Sequence, residues 1–494
     1  MTSYYTRQVF LFLFYMLQKR TKIIATVWPA TASREMLKEL YIQGVNIIRF
    51  NFSHADYISA WEIVDRIHEL NTSSETSLSL LLDTKGPELR TGDMNEKIHF
   101  HKWDIFPIYT TTANTDTSVR FLTCDYEYLA DDVDIGGIIE IDSGLFHVRV
   151  TEKRDSFVMV EALNDAIIGS RRHVNLPGVR IRLPWITDKD KEDILFGIKK
   201  GYHFIAASFI RTAENVKEIR SFLDKNGGEE IRIISKIENA EWIENLDSIV
   251  AISDGIMVAR GDLGIEVPIE KVPKYQKRII DLCRQNGKFV IVATHMLESM
   301  IEHPFPTRAE VSDIFRAVLH GADATMLSWE TTTGKYPIES VQMMVSVIRE
   351  AEGELEHKHH DYSNEWLTTR DIEKKALIRS ALAIAEELKA KAVILFTKSG
   401  RLARLAAAYR PNISVIAFTP SDSSVGFMRW LYAVEPVMLA PYNRSHTINL
   451  KNAIQKLWQY GDIKDTDRII AVTDLQNGDS EIPTMEIITI KDIL

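Results

Sequence analysis

The sequence predicts an α/β protein: a (β/α)8 TIM barrel with a small β domain inserted after its third strand and an open α/β domain at the C-terminus. Eight short apolar segments recur along the chain, with helical segments between them. Most are rich in Val and Ile and do not alternate with polar residues, which is the pattern of parallel strands covered on both faces. Residues 84–201 separate the third segment from the fourth and are too many for one β-α unit, so a second domain must be inserted there.

The predicted barrel strands are bounded by recognisable helix ends. Ser33 can cap a helix that Gly44 ends, and Thr187 can cap another that Gly201 ends. Eight successive strand and helix pairs favour a closed barrel, in which enzymes place their sites at the C-terminal ends of the strands. The predicted strands are Thr21–Val27, Val45–Phe50, Ser79–Asp83, Tyr202–Ser208, Ile231–Ser235, Gly255–Ala259, Lys288–Thr294 and Ala322–Ser328.

These signals divide the chain into domains. We expect the barrel to comprise residues 16–90 and 174–350, and the inserted domain to comprise residues 91–173. The stretch DIGGIIEIDSG in the insertion has the Gly pair and short Ile runs of a small antiparallel β structure. Residues 366–494 alternate helical stripes with strands such as KAVILFT and RIIAVT, which predicts a separate open α/β domain.

Two segments outside these domains have simpler interpretations. Residues 351–365 form a charged linker, and its histidines at 357, 359 and 360 are interpreted as solvated residues rather than metal ligands. Residues 1–15 are interpreted as an extension that is not translated, because Met16 directly precedes LQKRTKIIATV. The apolar run Val9–Leu17 is short for a membrane span, and no small-residue cleavage site follows it.

Composition excludes some classes of function. The formal charge of the 494 residues is -10, and Lys and Arg are not massed in blocks, which argues against a nucleic-acid-binding protein. Cys124 and Cys283 lie far apart without a CxxC partner, so a reducing compartment such as the cytoplasm is expected.

Polar side chains follow most of the predicted barrel strands. Glu238 and Asp262 follow neighbouring strands, and a pair of carboxylates suits Mg2+, which completes its shell with water and substrate oxygens. Lys236 points to the same side of the chain as Glu238 and can stabilise charge on a transferring phosphoryl group. Arg49 and Arg90 have the fork geometry that grips phosphate. A second set of residues provides side-chain oxygen atoms and no positive charge, which suits a weakly hydrated cation. These residues are Asn51, Ser53, Asp83 and Thr84.

At this point the residues resemble the pyruvate kinase family. The likeness runs in order from about residue 20 to residue 350 and returns more faintly towards the C-terminus. Together the motifs are highly specific: Asn51–His54 (NFSH), Leu82–Gly92 (LDTKGPELRTG), Val174–Gly178 (VNLPG), Ala206–Arg211 (AASFIR), Ile234–Asn239 (ISKIEN), Met257–Glu266 (MVARGDLGIE), Met296–Met300 (MLESM) and Pro306–Asp313 (PTRAEVSD).

The resemblance implies transfer of a phosphoryl group from phosphoenolpyruvate to ADP, giving pyruvate and ATP. It implies that Glu238 and Asp262 hold Mg2+, with Mn2+ as a substitute, and that Lys236 stabilises the phosphoryl group and the enolate. Arg49 would hold the phosphate, while the amides of Gly261 and Asp262 and the Thr294 hydroxyl would bind the substrate carboxylate.

The resemblance also implies a K+ site, nucleotide contacts and regulation. Residues Asn51, Ser53, Asp83 and Thr84 match the family's K+ site, and Glu88 matches the K+-dependent form, because K+-independent relatives carry Lys there. The inserted β-barrel would close as a lid over the nucleotide, and a homotetramer is implied. The expected nucleotide contacts are Asn51, His54, Arg90 and Arg172, and the expected contacts to a phosphorylated effector are Thr397, Ser399, Gly400 and Arg401.

Two other functions remain open from the sequence alone. The first is a catalytically impaired barrel that survives as an effector-binding or assembly subunit. The second is a Mg2+-dependent lyase or aldolase that binds pyruvate on a similar barrel and has no use for a K+ site or a nucleotide lid.

Four tryptophans depart from the family pattern, which usually has Gly at these positions: Trp28, Trp103, Trp242 and Trp329. Replacing Gly by Trp overpacks a tight turn at a cost of about 1 to 3 kcal/mol. Our hypothesis is that the gene uses a genetic code in which UGA means glycine. The codons test it: we expect UGA at these positions, and UGG at all four would contradict the hypothesis. Genuine tryptophans at Trp28 and Trp329, on the catalytic rim, would favour the impaired subunit.

Overall fold

The chain folds into a closed barrel, an inserted β domain and a C-terminal α/β domain. The computed structural model describes residues 19–110, 119–184, 186–239, 241–355, 361–365, 367–443, 445–459, 463–477 and 480–493. The predicted extension at residues 1–15 and the linker histidines His357, His359 and His360 lie outside the described residues.

The predicted (β/α)8 barrel is confirmed. Eight parallel strands close on themselves, with the first strand paired to both the second and the eighth. Each predicted strand is present, and its ends differ from the prediction by no more than two residues. The strands are Lys22–Thr26, Ile47–Asn51, Ser79–Asp83, Phe204–Ala207, Arg232–Ile237, Gly255–Ala259, Phe289–Ala293 and Ala324–Leu327.

Helices surround this barrel and begin where the sequence predicts. Ser33 accepts a hydrogen bond from the Met36 amide, and Thr187 forms a reciprocal capping box with Asp190. Gly44 and Gly201 have positive φ, as the residues that end these helices require. The helices are Arg34–Ile42, Tyr57–Thr72, Asp188–Lys199, Ala213–Lys225, Trp242–Ile252, Arg260–Glu266, Val272–Gln285, Arg308–His320, Trp329–Thr332 and Pro337–Gly353.

The inserted domain is a seven-stranded sheet. A bridge between Thr91 and Cys124 joins its two edges, so the sheet closes into a small barrel. One pair of strands is parallel, which differs from the antiparallel prediction because the strand signal in a sequence carries no pairing direction. In sheet order the strands are Leu89–Arg90, His173–Asn175, Ile138–Ile141, Phe146–Arg154, Phe157–Ala162, Ile105–Thr110 and Leu122–Cys124; Ile98–Phe100 pairs separately with Ala166–Ile168.

The C-terminal domain has a five-stranded sheet in which four strands are parallel and the last forms an antiparallel hairpin. Helices cover both faces, as an open α/β fold requires. The strands in sheet order are Val434–Met438, Val415–Thr419, Ala392–Phe396, Arg468–Asn477 and Ser480–Thr489, and the helices are Thr369–Glu387, Arg401–Ala408, Asp422–Met428 and His446–Gln459.

The C-terminal domain packs against the N-terminal end of the barrel. Trp430 is buried among the inward-facing barrel residues, with its ring centroid 3.7 Å from that of Phe204. Lys22 Nζ donates to the Val434 carbonyl at 2.7 Å, and Ser79 Oγ donates to the Gly426 carbonyl at 2.7 Å. These contacts close the end of the barrel opposite to the predicted site.

The beginning of the predicted linker is wrong. The helix Pro337–Gly353 continues past residue 350, and Glu352 is buried, where it accepts hydrogen bonds from the amides of Arg20 and Thr21. A charged residue looked solvated in the sequence because its partners lie more than three hundred residues away. In the part of the chain that the structure describes, no helix is long and apolar enough to cross a bilayer.

The four unusual tryptophans differ in their backbone conformation. Trp103 has φ 76°, in the left-handed region that favours glycine, and its side chain is 60% exposed. Trp28 is extended, with φ -160°, while Trp242 and Trp329 begin helices. Trp242 is fully buried, and its indole Nε1 has no hydrogen-bond partner among the described residues.

Trp103→Gly should therefore stabilise the protein by about 1 kcal/mol, because it removes the strain of a side chain in the left-handed region. The measurement is urea unfolding followed by circular dichroism. Trp61→Gly is the matched control, because Trp61 is also exposed but lies inside the helix Tyr57–Thr72, where glycine costs about 1 kcal/mol. Equal effects of the two substitutions would contradict the strain at Trp103.

Candidate functional site

A buried ion cluster lies at the C-terminal ends of the second, third and fifth barrel strands. Asp83 accepts from Arg49 Nε at 2.7 Å through Oδ2 and from Lys236 Nζ at 3.0 Å through Oδ1. Arg49 Nη1 also donates to Thr26 Oγ1 at 2.9 Å. One carboxylate thus holds two cations that come from different strands.

The electrostatics keep this cluster ionised. Burial alone would raise the pKa of Asp83, but the charges of Lys236 and Arg49 hold it below the ordinary value. Burial would lower the pKa of Lys236, yet the carboxylates of Asp83 and Glu238 raise it well above the ordinary value. Lys236 therefore remains a full positive charge at neutral pH.

Glu238 lies beside Lys236, as the two-residue spacing in an extended strand predicts. Its Oε1 is 2.8 Å from Lys236 Nζ, and its Oε2 accepts from the Phe209 amide at 2.7 Å. Burial raises the pKa of Glu238 against the opposing charge of Lys236, and the Asp262 carboxylate raises it further.

Asp262 completes a carboxylate pair with Glu238. It lies in the short helix Arg260–Glu266, which directly follows the sixth strand, the neighbour of the strand that carries Lys236. Burial raises the pKa of Asp262. The charge of Lys236 opposes this rise, whereas the charges of Glu88 and Asp83 increase it. The pair therefore carries negative charge that the protein balances incompletely, and this is the property of a site for a divalent cation.

The chemistry of these donors fits Mg2+, because this ion takes one or two carboxylates and leaves its other positions to water and substrate. Among the described residues, no group of three or more His, Cys, Asp or Glu side chains could hold a metal ion by itself. A cation at Glu238 and Asp262 would accordingly need further oxygen ligands from a substrate.

Thr294 and Gly261 meet beside this pair. The Gly261 amide donates to Thr294 Oγ1 at 2.8 Å, so two of the three groups expected to bind a substrate carboxylate are bonded to each other here. Thr294 and His295 both have positive φ, 65° and 52°. Arg260 holds this turn, because its guanidinium donates to the carbonyls of Ala293 and Thr294.

The predicted K+ ligands are brought together at the ends of the second and third strands, which pair directly through Asn51 and Asp83. Asn51 Oδ1 accepts from the backbone amide of Ser53 at 3.2 Å, which brings the Asn51 side chain to the Ser53 backbone. Thr84 Oγ1 accepts from the Ser208 amide at 3.1 Å. Asp83 joins this group to the Lys236 cluster.

The predicted nucleotide contacts lie between the barrel and the inserted domain. His54 is exposed, and its ring centroid lies 5.8 Å from that of Trp329. Arg90 Nε donates to Glu88 at 3.0 Å, while Arg172 lies 3.5 Å from Asp142. The Nε atom of Arg172 has no hydrogen-bond partner in the described part of the chain, so this residue retains donor capacity. A cavity of about 590 Å³ lies between the two domains beside Glu88, and none of the four predicted nucleotide contacts lines it.

The predicted effector residues are in the C-terminal domain, away from the other site residues. Thr397 is buried at the end of a strand, and Ser399 and Arg401 are exposed. Gly400 has φ 75°, and a Cβ there would meet the Phe427 ring at 2.9 Å, so this turn requires glycine. Arg401 is ion-paired with Asp371.

Sequence reasoning missed two residues that fix the cluster. Ser208 accepts from Lys236 Nζ at 2.8 Å and donates to the Thr84 carbonyl at 2.6 Å, which ties the fourth strand to the third and fifth. Phe209 has φ 56°, which directs its amide to Glu238. Both residues belong to the motif AASFIR. Their roles could not be predicted from residue type, because neither side chain is charged.

Comparisons with known proteins agree with this architecture. Residues 18–341 match the family model "Pyruvate kinase, barrel domain", and residues 375–488 match "Pyruvate kinase, alpha/beta domain". The chain is 41% identical over 428 residues to a pyruvate kinase of Sporosarcina psychrophila, covering 85% of this chain and 72% of that protein.

Other relatives match over more of their length. A pyruvate kinase of Clostridium acetobutylicum is 38% identical over 456 residues, covering 92% of this chain and 95% of that protein. A crystal structure of a pyruvate kinase from Cryptosporidium parvum aligns with a TM-score of 0.88 at 35% identity, covering 96% of this chain and 97% of the other.

Asp83→Asn should destabilise the protein by about 3 kcal/mol or more, because it leaves the buried cations Arg49 and Lys236 without their shared negative charge. The free energy of unfolding in urea measures this effect. Asp247→Asn is the control, since Asp247 is exposed on a barrel helix and should change stability by about 0.5 kcal/mol at most. A similar small effect at both positions would show that Asp83 does not hold the cluster together.

Proposed function

We propose that this chain, which belongs to the pyruvate kinase family, uses the Arg49–Asp83–Lys236 cluster and the Glu238–Asp262 pair to transfer a phosphoryl group from phosphoenolpyruvate to ADP. The products are pyruvate and ATP, in the last step of glycolysis. The observation that carries the residue assignments is the contact of Lys236 with both Asp83 and Glu238 in a buried site at the strand ends.

Lys236 and Arg49 are the proposed catalytic cations. The phosphoryl group in transfer and the enolate that it leaves both carry negative charge, and a fixed buried cation stabilises such charge without reorganising. Asp83 presets both cations, because its two oxygens orient the Arg49 guanidinium and the Lys236 ammonium before substrate arrives. Proposed contacts to the substrate carboxylate are Gly261, Asp262 and Thr294. The hydrogen bond from the Gly261 amide to Thr294 Oγ1 would have to be exchanged for bonds to substrate.

Glu238 and Asp262 are the proposed ligands of the divalent cation that the family requires, with Mg2+ as the first candidate and Mn2+ as a substitute. Burial is the largest cause of the raised pKa of both carboxyls, and neighbouring carboxylates raise it further. A bound cation would offset both effects, which supports this assignment. Such an ion supplies charge neutralisation to the phosphate oxygens when bound.

A K+ ion is the second proposed cofactor, with Asn51, Ser53, Asp83 and Thr84 as its ligands. Their oxygen atoms and the direct pairing of Asn51 with Asp83 support this assignment. Glu88 contributes a further negative charge near the cleft, where it is paired with Arg90. A monovalent cation would balance this charge and help to bind the anionic substrate.

The inserted domain is proposed to act as a lid over the nucleotide. Asn51, His54, Arg90 and Arg172 are the proposed nucleotide contacts. The support is that Asn51 ends a barrel strand, whereas Arg90 belongs to the inserted sheet and Arg172 is bonded to it through the Thr91 amide. Closure would exclude water, which otherwise competes with ADP as phosphoryl acceptor.

The remaining proposals concern regulation and assembly. We propose residues 16–90 and 174–350 as the catalytic unit, residues 91–173 as the lid and residues 366–494 as the regulatory domain, in a cytoplasmic homotetramer. Thr397, Ser399, Gly400 and Arg401 are the proposed contacts to a phosphorylated effector. None of the relatives described above is a lyase, and in the part of the chain that the structure describes no feature of the fold favours that alternative or an impaired subunit.

Lys236→Met should lower kcat by about a thousandfold and change KM much less, because the lost charge acts mainly on the transition state. Pyruvate formation from phosphoenolpyruvate and ADP with Mg2+ and K+ is the measurement. Lys217→Met is the control, because Lys217 is an exposed residue of a barrel helix. The assay should include a chain with Trp28→Gly, Trp103→Gly, Trp242→Gly and Trp329→Gly; if neither this chain nor the unaltered one forms pyruvate, the proposed function is wrong.

Glu88→Lys should make the activity largely independent of K+, because a fixed ammonium group would replace the monovalent cation. The activity ratio with K+ to that with tetramethylammonium should fall by about tenfold relative to the unaltered chain. Glu127→Lys, at an exposed position of the inserted domain, makes the same change in charge and should leave the ratio unaltered. An unchanged ratio in Glu88→Lys would argue against the proposed K+ site.

A further inference from the structure

Asp190 is a buried carboxylate that bonds to two separate segments of the chain. It is 2% exposed and lies in the first turn of the helix Asp188–Lys199. Its Oδ2 accepts from the Thr187 amide at 2.9 Å and from Thr187 Oγ1 at 2.7 Å, which are bonds of the helix cap. Its Oδ1 accepts from the Gly86 amide at 3.0 Å, although Gly86 precedes it by 104 residues.

Capping of the helix accounts for only one of these two oxygens. In the capping box of the next barrel helix, Asn215 Oδ1 accepts from the amides of Arg211 and Thr212, which belong to the turn that it caps. A buried charge must be paired or hydrogen-bonded, and the Gly86 amide supplies the bond to the oxygen that the cap leaves open. The contact between Asp190 and Gly86 therefore has a role beyond capping.

Gly86 lies in the loop that connects the third barrel strand to the inserted domain. This 84–88 loop directly follows Asp83, and it includes Thr84 and Glu88. Gly86 is buried, and a buried amide needs a hydrogen-bond partner. Asp190 is that partner, so its carboxylate fixes the middle of a loop that begins with two of the proposed K+ ligands.

The 84–88 loop also packs against the residues that fix the catalytic cluster. A Cβ on Gly86 would lie 2.6 Å from the Phe209 ring and 2.8 Å from Ser208 Cβ, so the loop backbone is in close contact with both residues. Ser208 bonds to Lys236, and the Phe209 amide bonds to Glu238. A shift of the loop would therefore also shift these contacts.

Both connections between the barrel and the inserted domain meet at Asp190. The 84–88 loop leads into Leu89–Arg90, the first strand of the inserted sheet, and the helix Asp188–Lys199 follows the segment that returns from that domain. Movement of a lid pulls on the segments that join it to the barrel. The hydrogen bond between Gly86 and Asp190 ties these segments together on the barrel side, which keeps the strand end at Asp83 in place.

We propose that Asp190 is a positioning residue of the proposed K+ site: by holding Gly86, it keeps Asp83 and Thr84 in place while the inserted domain moves. The inference rests on the proposed K+ site and adds a residue that acts through the 84–88 loop rather than as a ligand. An ionised acceptor suits this role, because hydrogen bonds to a carboxylate are roughly twice as strong as neutral ones. Loss of the carboxylate should weaken K+ binding.

The K+ dependence of pyruvate formation tests this role. Asp190→Ala should raise the half-saturating K+ concentration by about tenfold, the effect of losing one hydrogen bond to a charged group. The kcat at saturating K+ should stay within about threefold of that of the unaltered chain, because Arg49 and Lys236 are unchanged. Asp190→Asn keeps one acceptor oxygen and should give an intermediate half-saturating concentration.

Thr187→Val is the matched control. It removes a hydroxyl from the helix cap and leaves the bond between Asp190 and Gly86 intact. Thr187→Val and Asp190→Ala should both lower the thermal midpoint, because each weakens the cap. Only the Asp190 variants should change the K+ dependence, so the comparison separates positioning from a general loss of stability.

Hydrogen exchange followed by mass spectrometry measures the anchoring of the loop and needs no activity. In Asp190→Ala, exchange should become about tenfold faster in the peptide that contains Gly86, whereas Thr187→Val should speed exchange only at the start of the helix. Equal loop exchange in these two variants would overturn the proposal. Faster loop exchange with an unchanged half-saturating K+ concentration would overturn it as well, because the loop would then be held without effect on the site.

These outcomes are distinguishable from failure of the proposed function. If the unaltered chain forms pyruvate in a K+-dependent manner and the Asp190 variants match Thr187→Val, only the inference about Asp190 fails. If the unaltered chain forms no pyruvate, the proposed function fails, and loop exchange alone decides whether Asp190 holds Gly86.

Discussion

The proposed site depends on one buried carboxylate that holds two cations. Asp83 is 1% exposed, and its oxygens accept from Arg49 and Lys236, which belong to different strands. Charges buried this deeply are tolerated only when they are paired and hydrogen-bonded. The closed barrel supplies that pairing, because it brings the ends of its second, third and fifth strands to one rim. The positions of Lys236 and Glu238 follow from the same arrangement, since Glu238 shares the Lys236 ammonium.

The two ends of the barrel have opposite electrostatic characters. At the C-terminal end, Glu238 and Asp262 carry more negative charge than their surroundings balance, which suits a divalent cation. At the N-terminal end, a cavity of about 340 Å³ between the barrel and the C-terminal domain is lined by more cations, Arg232 and Arg284 among them, than carboxylates. Trp430 separates them by filling the N-terminal end of the barrel interior, where it packs against Phe204. The C-terminal domain is thus part of the barrel's own packing as well as a candidate regulatory unit.

Most of the fold could be predicted from local sequence patterns. All eight barrel strands were predictable because parallel strands covered on both faces are continuous apolar runs, and the helix caps at Ser33 and Thr187 were readable from residue type and spacing. Pairing within the inserted domain was less accessible, since a strand pattern does not encode its partner. The linker shows the same limit: Glu352 looks solvated in sequence but is buried against the amides of Arg20 and Thr21.

The sequence by itself determined the kinds of chemistry available: a spacing of two that sets Lys236 beside Glu238, carboxylates after adjacent strands, and motifs that resemble one family. Only the tertiary structure decided which groups share a partner. In the folded protein both oxygens of Asp83 bind cations, Ser208 accepts from Lys236, and the Phe209 amide donates to Glu238. The Gly261 amide donates to Thr294, and arginines of two domains line one cavity. The physical reason is that residue type and periodicity act over a few neighbours, whereas charge pairing and burial depend on distances between strands that lie far apart in the chain.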